Sequence, residues 1–147
     1  MILKEKHSSH QTQWAAQFAV ASELCRRGYE VAFTMGNHPS VDLMVYSPNH
    51  LPFAVDVKGL YKKNFWPVQE KAALKDLFYI FAFVPSGTPS RFFILTQEQV
   101  NKLIEKNFAL AKIRAKAKGR DYPKNLFPGV EWKSAEPFED AWDSLPK

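Results

Sequence analysis

From Ser8 to Arg27 the apolar residues recur at helical spacing: Trp14, Phe18, Ala21, Leu24 and Cys25 share one face. Ser8 or Ser9 supplies a cap, Arg26 and Arg27 put cations in the last turn, and Gly28 is a stop. The period then shortens to two. YEVAFTM (29–35), VDLMVYS (41–47) and FAVDVKGLY (53–61) read as strands, the last two joined by SPNHLP (47–52), which is dense in turn residues. Residues 67–77, Pro67 followed by VQEKAALKDL, read as a helix with the proline near its first turn. LFYIFAFVP (77–85) is continuously apolar, the pattern of a strand buried on both faces, and RFFILT (91–96) is a further strand. Thr96 starts a long helix, with Glu98 in its first turn, expected to reach Lys118 and stop at Gly119. Beyond it, Pro123, Pro128, Pro137 and Pro146 interrupt a coil with a short helix near 139–145, from which Phe138, Trp142 and Leu145 would dock on the core. The order α-β-β-β-α-β-β-α predicts an α/β fold: a mixed central sheet flanked by helices, with an added C-terminal helix and tail.

Three charged residues break the strand pattern. Asp42 interrupts VDLMVYS, and Asp56 and Lys58 interrupt FAVDVKGLY. Aspartate is a poor strand residue and costly to bury. By alternation Asp42 shares a face with Met44, while Asp56 and Lys58 share a face opposite Val55 and Val57. Pairing the two strands as a hairpin brings Asp42 beside Asp56 and Lys58. Two adjacent carboxylates repel, and one is driven towards protonation unless a cation intervenes. Magnesium takes one or two carboxylates plus water and phosphate oxygens. A lysine at that ion would orient or deprotonate a water, or stabilise charge on a phosphate. The set therefore suits metal-assisted hydrolysis of a phosphodiester. An Asp-x-Lys triplet alone carries little weight, and its bland reading is a surface ion pair. Glu131-Trp132-Lys133 repeats the spacing in a stretch that does not read as a strand.

Composition adds boundaries. The 147 residues, 46% hydrophobic and 24% charged, suit one domain over 1–147: a core at about 8–96, a basic helix at about 97–119 and an irregular tail at 120–147. No apolar run reaches the roughly 20 residues of a membrane span, and MILKEKHSSHQ has no signal-peptide h-region. Cys25, the one cysteine, excludes an internal disulfide and reads as a small core residue. The expectation is a soluble cytoplasmic protein with no membrane partner. The net charge of +5 is uneven: Lys102 to Lys124 holds eight Lys and Arg against two acids, whereas Glu131 to Lys147 holds five acids against two lysines. The basic segment, with Lys112, Arg114, Lys116 and Lys118, would neutralise phosphates or form a solvated helix face. Lys62 and Lys63 follow the aspartate–lysine set directly and suit a phosphate-tracking role. Gln69, Lys71 and Lys75 would reach a phosphate or face solvent. His7, His10, His38 and His50 are scattered, and nothing completes a histidine metal set.

AVASELCRRGYEVAF (19–33), SVDLMVY (40–46) and FAVDVKG (53–59) together resemble the core of the PD-(D/E)XK, or restriction-endonuclease-like, nuclease superfamily, nearest in pattern to its Holliday-junction-resolvase-like and intron-endonuclease-like branches. The resemblance covers about the first two thirds of the chain. It implies an αβββαβ core, a divalent metal (Mg²⁺, with Mn²⁺ as the alternative) and hydrolysis of a nucleic-acid backbone. By position Asp42 matches the first metal-binding aspartate, Asp56 the second acid and Lys58 the catalytic lysine, with the Val57 carbonyl at a backbone ligand position. Two departures stand out. Val41 replaces the proline of the motif's name, and Gln17 occupies the helix where many relatives carry a glutamate. Glu23, six residues on, falls about 240° round the helix and is expected to face solvent.

The sequence thus predicts a metal-dependent endonuclease, with DNA as the expected nucleic acid. Asp42, Asp56, Lys58 and Gln17 would form the centre, and Lys62, Lys63 and the basic helix would hold the backbone. A homodimer would suit cleavage of both strands of a duplex. The alternatives are a nuclease-like nucleic-acid-binding or assembly module that has lost hydrolysis, favoured by Gln17, and a protein-interaction domain in which the aspartates only pair with Lys58.

Overall fold

The computed structural model describes residues 6–123 and 127–147. Its first element, α1 (Ser9–Arg26), starts at a reciprocal cap: the Ser8 hydroxyl accepts from the Gln11 amide, and the Gln11 side chain accepts from the Ser8 amide. Gly28, at a φ of +89°, turns the chain out of the helix. Five strands form the main sheet: β1 (Glu30–Phe33), β2 (Leu43–Tyr46), β3 (Pro52–Leu60), β5 (Leu77–Phe83) and β6 (Arg91–Thr96), in the order β1-β2-β3-β5-β6. The β3–β5 pair is parallel and the other three are antiparallel, so the fold is α/β with a mixed sheet. Helix α2 (Gln97–Ala117) follows, capped reciprocally by Thr96 and Gln99. A second, two-stranded sheet pairs β4 (Phe65–Pro67) with β7 (Gly129–Glu131), and a helical turn, α3 (Trp132–Ala135), and two 3₁₀ turns close the chain.

The pleat of the sheet divides the core in two. Val55, Val57, Phe78 and Ile80 point to one face, where they meet Ala16, Val20 and Leu24 of α1 and Trp142 and Leu145 of the tail. Tyr79, Phe81, Phe93 and Leu95 point to the other, against Val100 and Ile104 of α2 and Trp66 of β4. Strand β5 is buried on both faces for nearly its whole length, as its apolar run predicts. The tail bridges the two layers across the free side of β6. Trp132 stacks on Trp66, Glu139 pairs with the Arg91 guanidinium through two bonds of 2.6 and 2.8 Å, the Asp140 amide donates to Phe92 O, and the Tyr29 hydroxyl donates to Pro146 O.

Several expectations are corrected. The helix over 67–77, and with it the second α of the αβββαβ order, does not form. Pro67 ends β4, and residues 69–76 run exposed without regular structure to β5. A helix there would bury almost nothing, and a segment this short gains too little from its own hydrogen bonds to be stable. Its main-chain groups find tertiary partners instead: Val68 N donates to Pro128 O, Asp76 O accepts from Ala54 N, and the Lys71 peptide groups bond to Asn101. The buried stripe of α1 is Ala16, Gln17, Val20, Ala21 and Leu24, one step round from the expected face. Phe18 and Cys25 are therefore exposed; Phe18 packs between Trp14 and Phe33, and Cys25 is not a core residue. The tail contains a strand, β7, that its prolines concealed, and Glu131 ends it.

Candidate metal and phosphodiester site

Strand β2 begins at Leu43, one residue after Asp42, so its pairing with β3 ends at Val55, while β3 continues to Leu60. From Val57 onward the side of β3 facing β2 has no strand to bond to. Two side chains fill that gap. The Asp42 Oδ2 accepts from the Val57 amide at 2.8 Å, and the Gln13 Nε2 donates to the Val57 carbonyl at 2.8 Å. Buried main-chain groups must be paired, and here an acid and an amide act in place of a strand. Asp42 is anchored further by its own amide, which donates to Val55 O. It thus spans Asp56 from Val55 to Val57 and brings the two carboxylates side by side.

Gln13 reaches β3 because α1 passes unusually close. A Cβ on Gly59 would lie 2.7 Å from the Ala16 Cβ and 3.0 Å from the Thr12 carbonyl oxygen, so only glycine permits this approach. Nothing in the pattern of polar residues singled out Gln13; the signal was Gly59, a glycine inside a strand.

Asp56 points to the α2 face, in register with Tyr79 of β5, and is 4% exposed. Burial pushes its carboxyl above the usual range, Lys58 opposes that shift through charge and a hydrogen bond, and Asp42 adds to it by like-charge repulsion. The Lys58 Nζ lies 3.1 Å from Asp56 Oδ1, with its side chain partly in solvent. The Tyr79 hydroxyl donates to Gln97 Oε1 at 2.7 Å; burial and the Asp56 charge push its pKa up to about 12, so it stays protonated. Lys58, Gln69, Lys71 and Tyr79 line a cleft of about 350 Å³.

The expected residues separate into groups. Asp42, Asp56, Lys58 and Val57 come together. Gln17 is buried against the sheet face opposite Asp56, and it is Gln13, one turn earlier, that engages Val57. Lys62 and Lys63 are exposed between β3 and β4, and Lys63 lies over the Trp132 ring. Lys112 and Arg114 line a groove of about 1260 Å³ between α2 and the β4–β7 pair, whereas Lys116 and Lys118 are exposed at the end of α2. Lys124 lies outside the described residues. Trp66 is fully buried.

The donors here, two carboxylates and a main-chain carbonyl, are of the type a hard divalent cation takes. Each aspartate commits one oxygen, Asp42 Oδ2 to the Val57 amide and Asp56 Oδ1 to Lys58, and each keeps the other. The Val57 carbonyl keeps a second lone pair beside the Gln13 bond. Two carboxylates and water are within the usual coordination of magnesium. Among the described residues no three His, Cys, Asp or Glu side chains converge, so protein carboxylates alone would not complete a shell. Compared with family models, curated proteins and solved structures, the chain matches none. Among the described residues no helix is long and apolar enough to cross a membrane.

Proposed function

We propose that the chain is a metal-dependent nuclease of the PD-(D/E)XK type that hydrolyses a phosphodiester bond of nucleic acid, with DNA as the expected substrate. The observation that carries the reading is the placement of Asp42 alongside a buried Asp56, with Lys58 3.1 Å from that second acid. A structural ion pair needs one carboxylate. Burial, and after it the charge of the second carboxylate, raises the pKa of Asp56, a cost to the fold that a cation would offset.

Asp42 and Asp56 would hold Mg²⁺ or Mn²⁺, with the Val57 carbonyl as a further oxygen. The metal would supply Lewis-acid polarisation of the phosphate and a water of lowered pKa. Lys58 presents its ammonium at the mouth of the cleft, where it balances charge on the phosphate or orients the water. Water adds to phosphorus as one P–O ester bond breaks, leaving a phosphate monoester and a hydroxyl. Gln13 fixes the Val57 peptide and hence the separation of Asp56 and Lys58. Lys112 and Arg114 lie along a groove that meets the cleft at Gln69, Phe127 and Pro128 and would guide the flanking backbone.

A second reading is favoured by α1, which brings the amides of Gln13 and Gln17 to the sheet and no acid: a nucleic-acid-binding module without hydrolysis. Incubation with labelled single-stranded, duplex and branched DNA and with RNA, in Mg²⁺, Mn²⁺ or EDTA, separates the two. The nuclease reading expects cutting that needs metal and falls at least about 100-fold in Lys58→Ala. Metal-independent binding without cutting supports the module instead.

A further inference from the structure

The crossover between β4 and β5 carries groups that the hydrolytic centre does not use. Residues 69–76 have no regular structure and are exposed, yet the main chain at Lys71 is fixed. Asn101 of α2 donates from Nδ2 to Lys71 O at 2.7 Å and accepts the Lys71 amide on Oδ1 at 3.3 Å, so one side chain holds both main-chain groups of one residue. Asn101 is itself held by Gln97 Nε2 at 2.8 Å, and Gln97, 1% exposed, accepts the Tyr79 hydroxyl. A continuous run of bonds thus joins the β5 wall of the cleft, at Tyr79, to its rim at Lys71. A solvated linker has no use for a half-buried asparagine, backed by the buried Gln97, that fixes one lysine; a binding group needs its main chain held.

The lining of this cleft is chemically one-sided. Lys58, Gln69, Lys71 and Tyr79 are its polar residues, with Pro67, Val68, Phe127 and Pro128 as apolar walls and no acid among them. Among the described residues no carboxylate forms an ion pair with Lys71. The neighbouring groove is different, since Glu70, Glu105 and Glu131 accompany Lys112, Arg114 and Lys133 there. Lys58 is already paired with Asp56, whose charge Lys71 also feels, so the net positive charge of the small cleft rests on Lys71.

We propose that this cleft is a phosphate subsite for a nucleic-acid strand, in which Lys71 and Lys58 take the oxygens of one backbone phosphate, Gln69 donates from its amide, and Asn101 is the positioning residue that holds Lys71 in place. The proposal rests on the nuclease reading and extends it to a residue outside the Asp–Lys set. Fluorescence anisotropy of a short labelled single-stranded DNA, in EDTA across a salt series, tests it without cleavage. Loss of one phosphate contact lowers the slope of log K against log salt by about 0.7. Lys71→Gln is expected to lose that much with an unchanged Tm, Lys71→Arg to retain the slope, and Lys75→Gln, on the same segment outside the cleft, to behave as wild type. Asn101→Ala is expected to lose the same slope with Lys71 still present; a lower Tm with a wild-type slope would overturn the positioning role. A wild-type slope in Lys71→Gln overturns the subsite alone. No salt-dependent binding by the wild-type protein overturns the subsite and the nuclease reading together.

Discussion

Asp56 is a charge kept where the fold would prefer none. Its pKa is raised mainly by burial, so the folded state binds its proton more tightly than the unfolded chain does. The resulting cost is absent below the ordinary value of 3.8, appears as pH rises through the raised folded pKa, and is complete above it. Asp56→Asn removes the charge and leaves a side chain that still hydrogen-bonds. The variant should melt higher than wild type near neutral pH, by an amount on the order of 2–4 °C, with the gain vanishing in acid. Thermal melts of the two proteins across pH check this, and a lower Tm at neutral pH would contradict it. Asp42 differs because it also completes the hydrogen bonding of β3. Asp42→Ala orphans the Val57 amide and should cost about 1–3 kcal/mol, whereas Asp42→Asn keeps an acceptor there and should cost much less. Chemical denaturation of both variants separates the structural role of Asp42 from its charge.

The approach of α1 to β3 is the element-scale counterpart. Gly59→Ala would push a methyl into Ala16 and the Thr12 carbonyl. It should destabilise by about 1–3 kcal/mol and draw Gln13 away from Val57, so that activity falls with stability. Urea melts and cleavage assays on one preparation would show both. Most elements were legible where a local rule and the tertiary environment agree. The caps at Ser8 and Thr96, the stops at Gly28 and Gly119, and the doubly buried β5 follow from residue type and period. Legibility failed where tertiary contacts outweighed propensity. VQEKAALKDL has helix-forming residues, but between the buried Val68 and Leu77 it lies outside the core, and Asn101 takes up the main-chain groups of Lys71. In α1 the polar Gln17 took a buried position and the aromatic Phe18 was left outside, because Trp14 and Phe33 shelter it. Asp42, Asp56 and Lys58 were legible as breaks in strand alternation. Gln13 was not, since its role depends on where the β2–β3 pairing ends.

At the scale of the molecule, the tail ties the two core layers together across β6, and its Arg91–Glu139 clasp is sensitive to acid. The hydrogen bonds from Arg91 hold the Glu139 carboxyl below its usual 4.5. That stabilisation is complete above the ordinary value and is lost as pH falls through the lowered folded pKa. Glu139→Gln should therefore lose on the order of 1 kcal/mol at neutral pH and show a shallower decline in acid than wild type. The clasp lies away from Asp56, so the variant should retain the metal-dependent activity proposed above. That activity is the central claim, and the most direct test is the rate of Mg²⁺-dependent cleavage by Asp56→Asn beside wild type, on the substrate that the wild-type protein cuts best. The account predicts a folded variant with no cleavage above the EDTA background. Cleavage by Asp56→Asn at the wild-type rate would contradict it.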